Sequence, residues 1–329
     1  MKSSLKKVLV TRRIPEAGLS ILRNACDMEV YPEDRAIPRQ LLLEKVTQVD
    51  GLLCLLSELV DEELFSNVTR LKVVSNYAVG YDNIDVDAAT RRGIVVTNTP
   101  DVLTEATADM AWTLLLAAAR RVGEGDRIMR QQSFQGWGPL FLLGQDVQRK
   151  TLGILGAGRI GSAVARRSAG WDMKILYYDK NVNQELEKKY SAKKVDLMQL
   201  IQNADFISIH LPLASETHHL INREKLRKMK KSAVLINTAR GPIIDEQALV
   251  IALRENWIAA TGLDVYQDEP RMAEGLAELE NVILAPHIGS ATVKTRDDMA
   301  RIAATNLLAV LEGKRPANQV NPEVFDQLK

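Results

Sequence analysis

Residues 152–161 read Leu-Gly-Ile-Leu-Gly-Ala-Gly-Arg-Ile-Gly, an apolar run that leads at once into GAGRIG and then into Ser162-Ala163-Val164-Ala165. No other stretch restricts the fold as tightly. A buried strand must turn sharply into a helix, and three glycines stand where that turn needs them. Gly156 permits the tight turn, Gly158 lets a pyrophosphate approach the backbone, and Gly161 lets helix and strand pack closely. The helix start then offers free N–H groups and the positive end of its dipole to an anion. A glycine triplet alone is weak, but a strand before it and a helix after it favour dinucleotide binding over a ligand-free turn. The next expected strand, Lys174–Tyr178, ends at Asp179, close to the ~20-residue spacing at which such a loop has an acidic partner. A carboxylate there accepts hydrogen bonds from adenosine ribose hydroxyls and repels a 2′-phosphate. NADH is therefore expected over NADPH. Lys180 softens that repulsion and leaves NADP possible.

Strand–helix alternation fills the rest of the chain. Strands are expected at Lys7–Val10, Met28–Tyr31, Gly51–Cys54, Lys72–Ser75 and Ile94–Val96, with amphipathic stretches between them. After a break at Asn98-Thr99-Pro100 comes an apolar helix, Thr104–Arg120, expected to lie buried between domains or subunits. A helix over 126–132 and the aromatic, glycine-rich loop Ser133–Pro139 follow. Alternation restarts with strands at Leu152–Leu155, Lys174–Tyr178, Phe206–Ile209, Ala233–Ile236, Ala260–Leu263 and Val282–Leu284. The last helix, Thr292–Leu311, has no strand after it and is expected to return to the first domain. The fold class is α/β: two Rossmann-like parallel-sheet domains, one flavodoxin-like and one NAD-binding, with an interdomain cleft. The substrate domain is expected to be discontinuous, residues 1–100 with 288–329. Residues 101–287 would form the NAD domain, with 101–150 as a dimerisation arm.

A length of 329 residues accommodates two such domains. Lys plus Arg number 43 and Asp plus Glu 42, a net charge of +1, which gives no general attraction to nucleic acid or anionic membranes. An anionic small substrate must be caught by local charges. No apolar run approaches the ~18 residues of a membrane span. Cys26 and Cys54, the only cysteines, form no CxxC pair and read as free thiols in a reducing compartment. The opening MKSSLKKVLVTRR has too short an apolar core for a signal peptide, so a cytoplasmic protein is expected.

Protonating a carbonyl oxygen calls for a donor, most often His, and the chain has four. His218 and His219 stand together at an expected helix start, with no ligand partners at zinc spacing, so no metal site is expected. His210 ends a strand at the carboxyl edge of the sheet, where it either touches cofactor or packs. His287 lies in Ala285-Pro286-His287-Ile288-Gly289-Ser290, straight after a buried strand, and alone would read as a capping or hinge residue. Its neighbours change that reading. Arg240 follows the strand Val234–Asn237 and has the planar fork that holds a carboxylate. Asp264 ends another strand, and Glu269 follows on its loop. A carboxylate beside His287 would fix the ring's tautomer and favour its protonated form.

The chain resembles the D-2-hydroxyacid dehydrogenase family over essentially its whole length. The resemblance rests on GAGRIG with Asp179, NTARGPIIDEQAL from Asn237, GLDVYQDEP from Gly262 and APHIGSAT from Ala285. Within the family it is most similar to glyoxylate/hydroxypyruvate reductases, on the loop Asn76–Asp85. That resemblance implies Arg240, Glu269 and His287 as the catalytic set. It implies that the Val79 and Gly80 amides join Arg240 and His287 in binding substrate. The residues expected at the cofactor are Gly156, Gly158, Arg159, Ile160, Gly161, Asp179, His210, Pro212, Thr238, Ala239, Asp264 and Gly289. The implied activity is NAD(P)H-dependent reduction of a small 2-oxoacid, glyoxylate or hydroxypyruvate, to the D-2-hydroxyacid. The long helix and the Trp137 loop correspond to a dimer arm and imply a homodimer. No added regulatory domain of the phosphoglycerate dehydrogenase type is expected. Leu53, Cys54, Leu55, Trp137 and Phe141 are candidate pocket residues. Two alternatives stay open: an NAD(H)-sensing corepressor-type binding protein of the same family, or a dehydrogenase for 2-ketogluconate or phosphite. The SFQGWGP stretch is similar to phosphite dehydrogenases, but Val79 stands where those have a pocket lysine. Many glyoxylate reductases favour NADPH, and Asp179 departs from that pattern.

Overall fold

Short runs of Val, Ile and Leu that are apolar at every position, without alternation, suit strands covered on both faces. In the computed structural model, which describes residues 5–327, they form two all-parallel sheets. The first third contributes β1 (Lys7–Val10), α1 (Glu16–Arg23), β2 (Asp27–Val30), α2 (Arg39–Val46), β3 (Gly51–Cys54), α3 (Glu62–Ser66), β4 (Val73–Asn76), α4 (Val86–Arg91) and β5 (Val95–Thr97). Next come α5 (Thr104–Ala119) and α6 (Val122–Arg130), and then the run that opens on the glycine loop. That run is β6 (Thr151–Leu155), α7 (Arg159–Arg167), β7 (Lys174–Tyr178), α8 (Gln184–Tyr190), β8 (Lys193–Lys194), α9 (Leu197–Asn203) and β9 (Phe206–Ile209). It continues through α10 (Arg223–Lys228), β10 (Val234–Asn237), α11 (Glu246–Arg254), β11 (Ala260–Leu263) and β12 (Val282–Leu284). The chain closes with α12 (Val293–Leu311) and α13 (Pro322–Gln327). Among the described residues no helix is long and apolar enough to cross a membrane.

The first compact unit comprises the chain up to Leu103 and again from Ala291. Its five strands run in the order β2-β1-β3-β4-β5. β3 and β4 are buried at all positions. Thr292 caps α12 by accepting from the Thr295 amide, and the helix then lies along α1, β3 and β4. The contact with α1 is close: a Cβ on Gly18 would stand 2.5 Å from the Ala300 carbonyl oxygen. Only a glycine allows that approach, and the small residues Ala300, Ala303 and Ala304 form the facing stripe.

The second unit, Thr104–Ser290, has seven strands in the order β12-β11-β10-β9-β6-β7-β8. Strand order reverses between β6 and β9. The carboxyl ends on either side of that switch are where an open α/β sheet binds ligands. The buried face of α5 packs within this unit. Ala108, Ala111, Leu114, Leu115 and Ala118 are buried within this unit, against β10, β11 and α7. Gly262 makes room for it, since a Cβ there would lie 2.8 Å from the Leu114 Cβ. Trp112 stacks on Trp171 with ring centroids 6.1 Å apart and donates to the Val164 carbonyl at 3.0 Å.

Two boundaries differ from expectation. The expected divisions after residues 100 and 287 lie instead after Leu103 and after Ser290. Val102 and Leu103 pack on the core of the first unit, while the amides of Ile288 and Gly289 are tied to Asp264 in the second. The helix expected over 126–132 begins earlier, at Val122. His218 and His219 do not start a helix: α10 begins at Arg223, capped by Asn222. The two histidines stack on each other in the preceding turn, with ring centroids 4.1 Å apart. Leu53 and Cys54 are fully buried in core clusters.

Candidate active site

The glycine loop is held from beneath. The Gly156 amide donates to the Tyr178 carbonyl at 2.9 Å, and the Ala157 amide donates to Asp179 Oδ2 at 2.8 Å. Asp179 Oδ1 accepts from the Asn181 amide at 3.0 Å. Each carboxylate oxygen has a second lone pair, so capacity for ribose hydroxyls remains. Gly156 has φ +94°, and a Cβ on it would strike the His210 and Leu211 backbone at 2.8 Å. A Cβ on Gly161 would meet the Gly156 carbonyl oxygen at 1.9 Å. Gly158, the N-cap of α7, is different: a Cβ there would meet nothing within 4 Å. Open space therefore faces the helix N-terminus, where Arg159 and Ile160 begin the first turn. In the turn after β10 the Thr238 hydroxyl is buried without a hydrogen-bond partner. An open cradle at a helix N-terminus and an orphaned hydroxyl at the carboxyl ends of the same sheet fit a dinucleotide.

His210 sits behind this loop, its Nε2 2.8 Å from Ser208 Oγ. Burial pushes its pKa down to about 3, so the ring is neutral and packs. The Pro212 carbonyl accepts from the Thr217 hydroxyl at 2.7 Å and shapes the same edge.

Three turns at the carboxyl ends of β10, β11 and β12 carry the candidate catalytic residues. Asn237, fully buried at the end of β10, accepts from the Ala239 amide at 3.0 Å and donates to the Arg240 carbonyl at 2.8 Å. That closes the turn presenting Arg240, whose Nη1 donates to the Ala239 carbonyl at 2.8 Å. The turn packs tightly on its neighbour, because a Cβ on Gly241 would fall 1.9 Å from the Tyr266 carbonyl.

After β11, Asp264 is 1% exposed and accepts from the Ile288 and Gly289 amides, each at 2.7 Å. Burial raises its pKa above the usual carboxylate range, against the pull of those two amides. Tyr266 donates to the Ala285 carbonyl at 2.9 Å. The two residues grip the turn after β12 on both sides of His287. His287 itself has φ +54°, in the left-handed region that a β-carbon disfavours. The surrounding bonds hold it there.

His287 Nδ1 lies 2.9 Å from Glu269 Oε2, and Glu269 Oε1 accepts from the Tyr266 amide at 3.0 Å. Burial pushes Glu269 up, but the His287 hydrogen bond and the nearby Arg240 charge hold its carboxyl below the usual value. Glu269 is therefore ionised throughout the neutral range. His287 pairs with Glu269, and the charge of Arg240 acts on the same carboxylate. Asp264 and Gly289, expected at the cofactor, are engaged with each other. The Ala239 amide is likewise committed to Asn237.

In the first unit, Asn98 donates to the Val79 carbonyl and Asn76 to the Gly80 carbonyl, both at 2.8 Å. Both carbonyls are thus taken, while the Val79 and Gly80 amides make no hydrogen bond among the described residues. The Trp137 loop is open to solvent: Trp137 is 86% exposed, with Leu140 and Leu143 beside it also exposed. Sequence reasoning missed Asn237 as the residue that closes the Arg240 turn. The one signal was polar residues embedded in an otherwise apolar motif, NTARGPIIDEQAL.

Known proteins place this geometry in a family. Residues 112–289 match the family described as D-isomer specific 2-hydroxyacid dehydrogenase, NAD binding domain. The chain is 53% identical over 322 residues to a glyoxylate reductase of Thermococcus kodakarensis, covering 97% of each. It is 50% identical over 323 residues to one from Pyrococcus horikoshii, again covering 97% of each. Among solved structures, a Thermus thermophilus protein superposes with a TM-score of 0.90 at 44% identity, over 95% of this chain and 99% of that one. The NADPH-dependent glyoxylate/hydroxypyruvate reductase of Sinorhizobium meliloti, in complex with NADP and malonate, gives 0.86 at 33% identity over 97% and 98%. With its glycine loop, its Arg–Glu–His turns and relatives matched along nearly their full length, this chain belongs to the D-isomer specific 2-hydroxyacid dehydrogenases, a family of NAD(P)-dependent oxidoreductases.

Proposed function

We propose that this enzyme reduces glyoxylate to glycolate with NADH as the preferred cofactor, and accepts hydroxypyruvate as a second small 2-oxoacid. The observation that carries the reading is the 2.9 Å pair between His287 Nδ1 and Glu269 Oε2, with the Arg240 charge acting on the same carboxylate. Nδ1 faces an ionised carboxylate, so Nε2 is the ring nitrogen that hands a proton to the substrate's carbonyl oxygen. Glu269 stabilises the protonated ring until that transfer. Arg240 takes the substrate carboxylate with its planar fork and draws electron density from the adjacent carbonyl. The Val79 and Gly80 amides, which make no hydrogen bond among the described residues, are further candidates for binding a substrate carboxylate. The open cradle at Gly158, the first turn of α7 and the Thr238 hydroxyl hold the dinucleotide, and its dihydronicotinamide supplies the hydride when bound.

Asp179 supports the preference for NADH, since a carboxylate at the end of β7 repels a 2′-phosphate. The exposed Trp137, Leu140 and Leu143 support a homodimer formed through that loop. Two buried free thiols suit a reducing, cytoplasmic setting.

The test is a panel of glyoxylate, hydroxypyruvate, pyruvate, 2-ketogluconate and phosphite, each run with NADH or NADPH, or with the oxidised cofactors for phosphite. The nicotinamide absorbance is the readout. Glyoxylate with NADH is expected to give the highest kcat/KM. Cofactor binding without turnover on any substrate would favour the NAD(H)-sensing corepressor reading. Faster turnover of 2-ketogluconate or phosphite would reassign the substrate.

A further inference from the structure

The loop that carries Glu269 leaves β11 and runs through Gln267, Glu269 and Ala273, with an isolated β-bridge between Asp268 and Arg271. Beneath it lies Glu246, the first residue of α11, only 4% exposed. Its two oxygens reach the loop at separate points. Oε2 accepts from the Gln267 amide at 2.6 Å, and Oε1 accepts from the Ala273 amide at 2.7 Å. One buried carboxylate thus spans the segment containing Glu269, gripping it on both sides. A third tie comes from His219 Nε2, 3.0 Å from the Gln267 side-chain oxygen.

A buried carboxylate needs compensation for lost hydration, and here two backbone amides supply it. The amides in turn have no other acceptor on the loop. Their positions follow the carboxylate, and the carboxylate follows α11, whose N-cap Asp245 accepts from the Ala248 amide. Loop geometry is therefore referred to a rigid helix.

We propose that Glu246 is a positioning residue for the proton donor: by gripping the loop at Gln267 and Ala273 it holds Glu269 at hydrogen-bond distance from His287. This rests on the Glu269–His287 reading given above. Other charged groups facing the pair are Arg240, from the turn after β10, and Asp264, from the turn after β11.

The test uses Glu246→Gln in the full-length enzyme. Glutamine keeps one oxygen but sets an NH2 group against the N–H of either Gln267 or Ala273, so one grip becomes a donor–donor contact. The readouts are melting temperature, NADH affinity by fluorescence, and kcat/KM for glyoxylate across pH. NADH affinity is expected to stay within about twofold, because the glycine loop is untouched. kcat/KM is expected to fall by about 10- to 100-fold, the cost of misplacing a catalytic group by ~1 Å. The loss is expected in kcat/KM for glyoxylate and not in NADH affinity, which separates positioning of the proton donor from a general loss of structure. Adding Glu246→Gln to Glu269→Gln should lower kcat/KM no further than Glu269→Gln alone, because the grip acts only through Glu269.

If Glu246→Gln fails to fold, Glu246→Asp provides the same readout. It keeps the charge, but its shorter arm cannot reach both amides from the same helix position. A lowered melting temperature with unchanged kcat/KM, where Glu269→Gln does lower kcat/KM, overturns this proposal alone. Unchanged kcat/KM in Glu269→Gln itself overturns the pairing and this proposal with it.

Discussion

Three buried polar side chains act on the backbone of the turns that carry Arg240, Glu269 and His287. Asn237 shapes the Arg240 turn, Asp264 clamps the turn of His287, and Glu246 grips the Glu269 loop. The family resemblance singled out Arg240, Glu269 and His287, and their positions on turns after strands could be read from the apolar runs before them. The residues behind them could not. A polar side chain that hydrogen-bonds a distant backbone amide has no local pattern, since its partner is set only once the sheet has formed. Asp179 shows both sides of this. Its position after β7 was readable, but its bond to the Ala157 amide was not. That bond predicts a double effect for Asp179→Ser. The discrimination between NADH and NADPH in kcat/KM should narrow, because repulsion of the 2′-phosphate is lost. NADH affinity should also weaken by a few-fold, because the glycine loop loses its carboxylate anchor. Measured cofactor constants check both effects; an unchanged NADPH/NADH ratio would contradict the role assigned to the carboxylate.

Strands were the most readable elements. β1, β3, β7, β9, β11 and β12 lie where their apolar runs begin and end, because strands covered on both faces need every position apolar. The short helices α3, α4, α8, α9 and α10 were not readable, since they are too short to show helical periodicity. β8 is two exposed lysines paired to β7 at the sheet edge, with no apolar signature. The placement of α5 needed tertiary information: its apolar stretch demanded burial, and Gly262 on β11 decided where. Gly262→Ala should therefore wedge α5 from the sheet. The added Cβ would stand 2.8 Å from the Leu114 Cβ and 3.0 Å from Ile236 Cδ1. Urea denaturation should show a loss of ~1–3 kcal/mol, the usual cost of overpacking. Unchanged stability would mean that α5 shifts freely, contrary to its packed setting.

The whole molecule is two parallel-sheet units, and the first is built from both ends of the chain. That arrangement was legible from one observation, a final helix without a strand to follow it. The location of the boundaries was not, because it depends on which core takes Val102 and Leu103 and on the Asp264 clamp. α12 covers α1, β3 and β4, and Met299, Ala300, Ala303, Ala304 and Leu307 are part of the same buried cluster as Val8, Val10, Leu19 and Leu22. Removing residues 291–329 should expose that cluster and unfold the first unit, since domains have only ~5–15 kcal/mol of stability to lose. The second unit keeps its own cores and the glycine loop, so NADH binding should survive. Limited proteolysis should then cut freely before residue 103 and spare the second unit. Equal protection of both units in the truncated chain would contradict the assignment of α12.

The pairing of Glu269 with His287 is tested most directly by the pH profile of kcat/KM for glyoxylate in wild type and Glu269→Gln. Reduction needs a proton on the imidazole to hand to the carbonyl oxygen. Burial pushes the Glu269 carboxyl up, but the His287 hydrogen bond and the Arg240 charge hold it below the usual value, so it is ionised in the neutral range. An anion at 2.9 Å from Nδ1 orients the ring and compensates the charge of the proton donor. Glutamine keeps the hydrogen-bonding shape and removes the charge. Across the profile kcat/KM for glyoxylate should fall by about 100-fold, with the Michaelis constant for NADH little changed. Unchanged kcat/KM at every pH, in a folded variant that still binds NADH, would show that Glu269 does not govern the proton donor.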